Sequence, residues 1–563
     1  RISNRRNAGR RFVHPQPNFE YKTSASLISY DKCVKQPTTK GRRMKQFVQR
    51  FADKIKGCIS GFDRIVFKGC MRHLMFADGA MSFFRSRGVL NKDYKAWVTE
   101  QSAALVDAAS TYARSTCGRG IVPIRSCHDR KETIAHERQR EMGLDHGLIG
   151  VWSCLEACST YRACYDAKAG FPQLRMDYSR CNHLYFYYDH ADYGFMSIRL
   201  QTWFPYGIQI AINGREWLRR SLDKRSIDYV LHGNKFLHIA DYGRAQQLLD
   251  AQIDARWAKL LTSFLPAVFP TMAHTLGPQF SYYWTLWQSE WATDYVFATP
   301  AVLTPFMDGL LRHALMTGTC DRVLRYMGRP VDAAGQPHPL AKPELLTRAN
   351  AWHDGMRIRH WVDKNSIKLY NEQNVLRAEM TMNNPGAYRV FRRPEGEKYA
   401  AKKRLALRKG LADIPVRTKI AADITQRFMA HMATLQNTTP LRDVLKDITR
   451  SSIKRGRTIR ALDITGKDRE LLLALADPKY VVSGITNKML QQVLRTSPWA
   501  KDGTAKQLAA RIGRHLRLLR NHGLIRKMPN QRKYSLTEKG RNLTTALTSL
   551  LAVSIQQLME KAA

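Results

Sequence analysis

The chain has 563 residues, of which 44% are hydrophobic, and it carries 91 Lys and Arg against 47 Asp and Glu, a formal charge of +44. This length exceeds what a single core organises, and the apolar content excludes a disordered chain. No run of about 18 apolar residues occurs, which argues against a membrane-spanning helix. The charge calls for a polyanion, because cationic side chains that neutralise phosphates release condensed counterions; an anionic membrane surface is the rival partner.

Residues 1–43 read as a basic arm. It opens with Arg1, Arg5, Arg6, Arg10 and Arg11 and lacks the apolar stretch of a secretory signal. An α/β domain is expected over 44–328. A helical pattern over 44–56 leads into an apolar strand, Gly61-Phe-Asp-Arg-Ile-Val-Phe67, and helices follow to about residue 113. Short strands are expected near 121–124 and 148–152. The ten cysteines (33, 58, 70, 117, 127, 154, 158, 164, 181 and 320) are too scattered for a disulfide scaffold and are expected as reduced thiols in a cytoplasmic protein. Cys154, Cys158 and Cys164, near Cys181 and His183, have zinc-ligand chemistry but no paired C-x-x-C spacing.

The clearest β signal is an antiparallel meander at 182–213, with runs 183–189, 195–202 and 208–212. Met196, Ile198 and Leu200 share one face; Phe195, Ser197, Arg199, Gln201 and Trp203 share the other. With Tyr185 and Tyr187, the second face is either a platform where nucleobases stack or core covered by helices. Residues 213–327 are expected to be helical, with one strand pair near 229–239, and the aromatic patch Tyr282, Tyr283, Trp284, Trp287, Trp291 and Tyr295 is read as helix core. A second β region over 329–396 follows a Pro- and Gly-rich loop, with strands near 357–362, 366–370, 375–382 and 388–391. A basic helical connector over 397–460 carries Lys402, Lys403 and Arg404 as nucleic-acid contacts, and ends in a basic linker at 450–457.

The strongest motif is C-terminal. An apolar helix is expected over 467–475, a second over 487–494 capped by Thr486, and a third from Thr504 to about residue 521, with Leu508, Ile512, Leu516 and Leu519 as its core stripe. Gly523 supplies a left-handed stop, followed by a strand, a basic turn at 529–533 and Tyr534–Leu536. This order, with Gly523-Leu-Ile525 and Leu536-Thr-Glu-Lys-Gly540, resembles the winged-helix family in its MarR-like and ArsR-like forms. The resemblance implies a winged helix over 461–545, followed by a C-terminal helix at 546–563. It also implies that the third helix enters the DNA major groove through Lys506, Gln507, Arg511, Arg514 and Arg517, while Arg526, Arg532 and Lys533 on the wing touch the backbone. The alternative use of such a module is protein contact.

Chemistry in the body rests on its few acids. Asp63, Asp189, Asp192, Glu290, Asp294 and Glu379 are the candidate carboxylates, with Asp63 and Glu379 inside apolar strands, where a charge needs a partner. Carboxylates on neighbouring strands can hold Mg2+ for phosphodiester cleavage, and sequence spacing leaves open whether these meet. Asn365-Ser-Ile-Lys-Leu-Tyr370 followed by Leu376-Arg-Ala-Glu379 resembles paired strands of plasmid and phage replication initiators, which implies Tyr370 as a nucleophile; the His-x-His metal pair of those enzymes is absent. The chain as a whole also resembles uncharacterised bacterial proteins with the same Gly-Phe-Asp-Arg start and winged-helix end.

The expectation is therefore an α+β multidomain protein with antiparallel sheets, helical regions and a terminal winged helix. It would bind DNA, structured RNA or both, belong to a mobile element, plasmid or regulatory system, and have no membrane partner. Two alternatives accompany this reading: a Mg2+-dependent nuclease, strand-transfer or replication-initiator enzyme using Asp63, Glu379 and Tyr370, and an RNA-binding ribonucleoprotein component. Oligomeric state stays open, a dimer included.

Overall fold

One large sheet with two differently used faces organises the first two thirds of the chain. A computed structural model describes residues 45–552 apart from 126–128, 332–343, 353–354, 398, 434–444, 447, 455, 478–479, 481–483, 501–502 and 529–530. The expected basic arm, the centre of the 329–343 loop and the last eleven residues lie outside the described residues. Thirteen strands come first in the chain. They are β1 (Ile55–Cys70), β2 (Val122–Pro123), β3 (Gly147–Asp166), β4 (Phe171–His190), β5 (Gly194–Gln201), β6 (Ile208–Asn213), β7 (Tyr229–His232), β8 (Lys235–Ile239), β9 (Tyr283–Phe297), β10 (Leu345–Trp352), β11 (Gly355–Val362), β12 (Asn365–Glu372) and β13 (Val375–Met382). All but β7 and β8 form one sheet in the order β10-β11-β12-β13-β9-β1-β6-β5-β4-β3-β2, antiparallel except for the β2–β3 pair.

Two expectations are corrected here. The region 329–396 is not a separate β domain, because β13 pairs along its whole length with β9 and completes the same sheet. The aromatic patch at 282–295 is not a helix but the central strand β9, bonded to β1 on one side and β13 on the other. The α+β class holds, as do the three strands of the meander and the split of its faces. Met196, Ile198 and Leu200 are fully buried in the main core, while Ser197 and Arg199 look the other way.

That main core lies on one sheet face. Ile65, Phe67, Ile198, Ile210, Leu286, Met380, Ile367 and Leu369 pack there against helices Ala77–Ser86, Tyr94–Cys117, Pro300–Thr317 and Ile414–Met432. Burying each large apolar side chain contributes about 1.5–3 kcal/mol, so this face holds the sheet together. The opposite face is polar, and only parts of it are roofed. Helices Gly214–Asp223 and Tyr242–Ile253 and the β7–β8 hairpin cover β1 around Ile59 through Leu218, Phe236, Leu248 and Leu249. The roof sits close: a Cβ on Gly61 would stand 2.8 Å from Leu249 Cδ2. Helix Lys131–Met142 covers Ile149, Trp152 and Tyr187 near the far edge.

The connector over 397–460 is corrected in part. Lys403–Ala406 is a strand paired with Arg389–Arg392; Lys403 and Arg404 are exposed on it and Lys402 is exposed just before it, none of them on a helix. The basic stretch at 450–457 forms part of a short hairpin, Ser452–Lys454 with Arg457–Ile459. Beyond it, helices Arg469–Leu475, Asn487–Leu494 and Ala505–Asn521 precede a two-stranded hairpin, Ile525–Lys527 with Tyr534–Leu536, and a helix Glu538–Ala552. Thr486 caps the second helix, and Thr504 forms a capping box with Gln507 on the third. Leu508, Ile512, Leu516 and Leu519 are buried, and Gly523 takes φ +74°, which only glycine adopts readily. The module has its own core, built on these residues together with Leu471, Leu490 and Leu536.

Under the roof, Asp294 is fully buried between two buried arginines. Arg377 donates to it through Nε (2.6 Å) and Nη2 (2.9 Å), and Arg215 Nη2 lies 3.1 Å away. Removing one partner of such a group leaves uncompensated buried charge, at a cost of about 3–5 kcal/mol. Asp294→Ala is therefore expected to lower the unfolding free energy measured in urea by that amount, with a lower midpoint, while an exposed control, Asp53→Ala, leaves both unchanged. Equal midpoints for the two variants would remove this role.

Candidate metal centre

Three of the six candidate acids converge. Asp63 on β1, Glu290 on β9 and Glu379 on β13 each offer a carboxylate oxygen, and these oxygens all lie within 4.8 Å of one another. The three strands are consecutive at the middle of the sheet. Glu379 lies opposite Ala292 and Glu290 opposite Thr381, so both acids project from the polar face.

Asp63 lies at a backbone irregularity. Phe62 pairs with Trp291 and Ile65 with Ser289, so β1 uses one residue more than β9 over this stretch. Gly61 lies opposite Ala292, as Glu379 does, so Asp63 two residues on shares the face of both glutamates, and the extra residue returns Ile65 to the core face. Arg377 Nη1 (3.2 Å) and Asn234 Nδ2 (2.7 Å) then hold the Asp63 carboxylate in place. Asn234 comes from the β7–β8 turn, so the roof sets the ligand geometry.

The electrostatics differ acid by acid. Burial pushes the Asp63 carboxyl up, with Arg377 opposing and Glu379 reinforcing the shift. Burial acts on Glu379 too, but Lys368, in direct ionic contact, outweighs it with help from Arg377 and Tyr370, and holds its carboxyl below the usual range. Tyr370 Oη donates to Glu379 Oε2 at 3.1 Å. Glu290 has no such cation. Burial, then the negative charge of Glu379, push it up to about 7, and its recorded partner is the Gln288 amide at 3.3 Å. The donor set is three hard oxygens with more negative charge than its neighbours cancel. That chemistry fits Mg2+ or Mn2+ and not a thiolate-seeking metal.

The other candidate acids serve structure. Asp294 is the buried anchor described above. Asp189 accepts from Gln139 (2.7 Å) and Arg220, and Asp192 pairs with Lys224 at 2.5 Å. In the sequence Glu290 is only one acid among six, because the aromatics around it recur at helical intervals. Lys368 and Arg377 lie within the motif that drew attention to Tyr370 and Glu379, yet their roles need the fold to become visible.

Around the acids the polar face is cationic. Directly across the strands from Glu379 run Lys368, Arg359 and Arg348, one per strand. Arg359 stacks over the Trp361 ring at 4.0 Å. On the other side lie Lys68, over the Trp287 ring at 3.8 Å, and Arg199, paired with Glu156 at 2.8 Å. The expected aromatic platform is less open than its sequence suggests. Tyr187 is buried under helix Lys131–Met142, and His136 stacks on Phe195. Gln201 is buried with its amide nitrogen donating to the carbonyls of Ser159 and Trp203, and Trp203 packs against the core. The cysteines of the described residues are free thiols; Cys33 and Cys127 lie outside them.

In the C-terminal module, Lys506, Arg514, Arg517, Arg526 and Arg532 are exposed, and Lys533 is half-buried. Arg511 lies over the Trp499 ring at 4.3 Å, and Gln507 spends its carbonyl on the helix cap. Compared with known proteins, the chain matches no family model, no curated protein and no solved structure.

A carboxylate raised to about 7 must lose its proton to bind a cation. Mn2+ affinity is therefore expected to climb with pH up to about 7 and then level off, with proton release detectable by calorimetry in buffers of different ionisation heat. Glu290→Gln should weaken binding and reduce the release by about one proton near pH 6. Affinity that ignores pH in the unmodified protein would contradict this assignment.

Proposed function

We propose that the chain is a divalent-cation-dependent enzyme acting on phosphodiester bonds of nucleic acid, by hydrolysis or strand transfer. The observation that carries this reading is the carboxylate trio of Asp63, Glu290 and Glu379 on three adjacent strands, set in a face otherwise lined by Lys68, Arg199, Arg348, Arg359 and Lys368. An acid cluster alone repels a polyanion. An acid cluster inside a cationic track admits phosphates on both sides and leaves one point where a cation is required.

A bound divalent cation would polarise a phosphoryl oxygen and lower the pKa of a ligated water or sugar hydroxyl. The chain's residues have separate tasks. Arg377 and Asn234 orient Asp63; Lys368 and Tyr370 orient Glu379. Glu290, the least neutralised acid, is the group whose ionisation sets the pH range. In the reaction the attacking oxygen gives up its proton to solvent and forms a bond to phosphorus, the bond to the departing sugar oxygen breaks, and that oxygen takes up a proton from solvent. Tyr370 is assigned to positioning rather than nucleophilic attack. It is buried, its hydroxyl already donates to Glu379, and burial raises its pKa well above that of an ordinary tyrosine.

Site preference is assigned to the C-terminal module as a winged helix. The order of three helices and a two-stranded hairpin supports this, as do the edge contact that Ile485 makes with Tyr534 and the exposed cations of the third helix and the hairpin. Arg514 is the better candidate than Arg511 for a base contact, because the Arg511 guanidinium already packs on Trp499.

The test is Mg2+-dependent cleavage of labelled single-stranded, duplex and branched substrates. Cleavage is expected in the unmodified chain, and Glu290→Gln is expected to reduce it by at least about 100-fold, the scale on which electrostatic contributions of single groups act. Absence of cleavage on every substrate would leave a binding protein only. Separately, Arg514→Ala is expected to lose about 1–3 kcal/mol of discrimination between a selected site and random duplex, with the trio intact. Unchanged discrimination would take the reading helix away from this segment.

A further inference from the structure

One exposed aromatic residue on the polar face has no structural task. Trp287 is 40% exposed, three residues before Glu290 on the same strand. At the 3.3 Å rise of a strand this is about 10 Å. Two features build it outward. Val66 pairs with Gln288 but Phe67 with Leu286, so Trp287 is an extra residue on β9 and leaves the ladder. The buried Arg417 then fixes this bulge, donating to the carbonyls of Leu286 (2.5 Å) and Met382 and to Ser289 Oγ (3.0 Å). A large apolar ring held out by a fully buried arginine gains nothing from the core.

The ring is set among cations. Lys68 Nζ lies 3.8 Å and Lys409 Nζ 3.4 Å from its centroid. Lys409 is placed by its own backbone, whose carbonyl accepts from Leu286 N at 2.8 Å. Burial, then the positive charges of Arg417, Lys68 and Lys364, bring Lys409 down to about 8. On the next side-chain row toward Tyr283, Arg72 lies over that half-exposed ring at 3.5 Å. Lysines crowded together over an exposed indole constitute an unfinished arrangement: each cation would be better placed on an anion, and the ring face it vacates would be better covered by another flat π-surface. A nucleotide supplies both groups at once.

We propose that Trp287 is the stacking platform for an unpaired nucleobase of the substrate strand, with Lys68 and Lys409 taking the adjacent phosphates, next to the carboxylate trio. This rests on the functional reading above and narrows it: the substrate is single-stranded or locally opened nucleic acid. A fully paired base hides its π-faces in the helix stack, so duplex cannot use this position.

The experiment separates stacking from general electrostatics and from catalysis. Binding of the full-length protein to a short labelled oligonucleotide is measured by anisotropy in EDTA, with the strand single and with it fully paired. Stacking on one aromatic is worth about 1–3 kcal/mol by alanine substitution, that is roughly 5- to 150-fold. Trp287→Ala is expected to lose that factor for the single strand and to stay within about twofold for duplex. Trp287→Phe is expected to recover most of the loss, and ultraviolet crosslinking of an iodouracil-substituted single strand is expected to map to Trp287. An unchanged single-strand affinity in Trp287→Ala, an equal loss for single strand and duplex, or no recovery in Trp287→Phe would each overturn the platform. Glu290→Gln, tested in parallel, should bind normally in EDTA. If it still abolishes cleavage while Trp287→Ala is without effect, stacking alone is wrong. If stacking holds and no substrate is ever cleaved, the enzymatic reading is wrong and the platform belongs to a binding protein.

Discussion

Everything on the polar face depends on one buried charge arrangement, Arg215 and Arg377 closing on Asp294. Two full cations and an anion without solvent are expensive unless each is satisfied, and here Arg377 also reaches Asp63 and the Asn234 carbonyl. The network therefore joins five pieces: β1, β9, β13, the helix after β6 and the β7–β8 turn. It anchors the roof over β1 and at the same time orients a ligand carboxylate. Apolar residues of similar volume would close the roof as well, but they could not hold Asp63. Retaining a costly buried network beside a carboxylate trio is understandable if the geometry of that trio matters more than the last few kcal/mol of stability.

The cationic surroundings follow from the same economy. Acids are few in this chain, and nearly all those described on the sheet are paired with arginine or lysine. Glu290 alone of the trio is left short of a counter-charge. Local charge, and not overall charge, is what distinguishes the centre: a protein carrying +44 presents, at the middle of its largest sheet, a point with an excess of carboxylate.

Much of this was visible in the residues, but unevenly. Asp63 and Glu379 stood out because they interrupt apolar strands, and buried acids of that kind require a partner. The meander was legible through its strict alternation, and the capping residues Thr486 and Thr504 gave the C-terminal helices to within a residue or two. β9 was not legible. Its large aromatics at 284, 287, 291 and 295 recur at intervals of three and four, which imitates a helix; the bulge at Trp287 and burial of both faces are what break the period of two. With β9 misread, the junction between the two β regions was hidden too, because a pairing between strands 80 residues apart leaves no local trace. The aromatic platform of the meander was over-read for the opposite reason: which faces a helix covers is decided by tertiary packing, and helix Lys131–Met142 takes that one.

Of the three register shifts between β1 and β9, the two that flank Ile65 and Val66 are of opposite sense. β1 carries an extra residue at Asp63–Arg64 and β9 carries one at Trp287, so that pairing from Gly57 to Phe62 and from Phe67 onward runs in the same register. Between these stretches only Ile65 and Val66 are offset. Losing a residue from one strand alone would therefore turn the whole remainder of that strand inside out, exposing core and burying charge. Losing one from each would restore a regular ladder with its core intact. Such a chain would keep the sheet and lose the outward-turned indole and the local widening beside Asp63, so the shape of this polar face amounts to a matched pair of insertions that the core itself does not need.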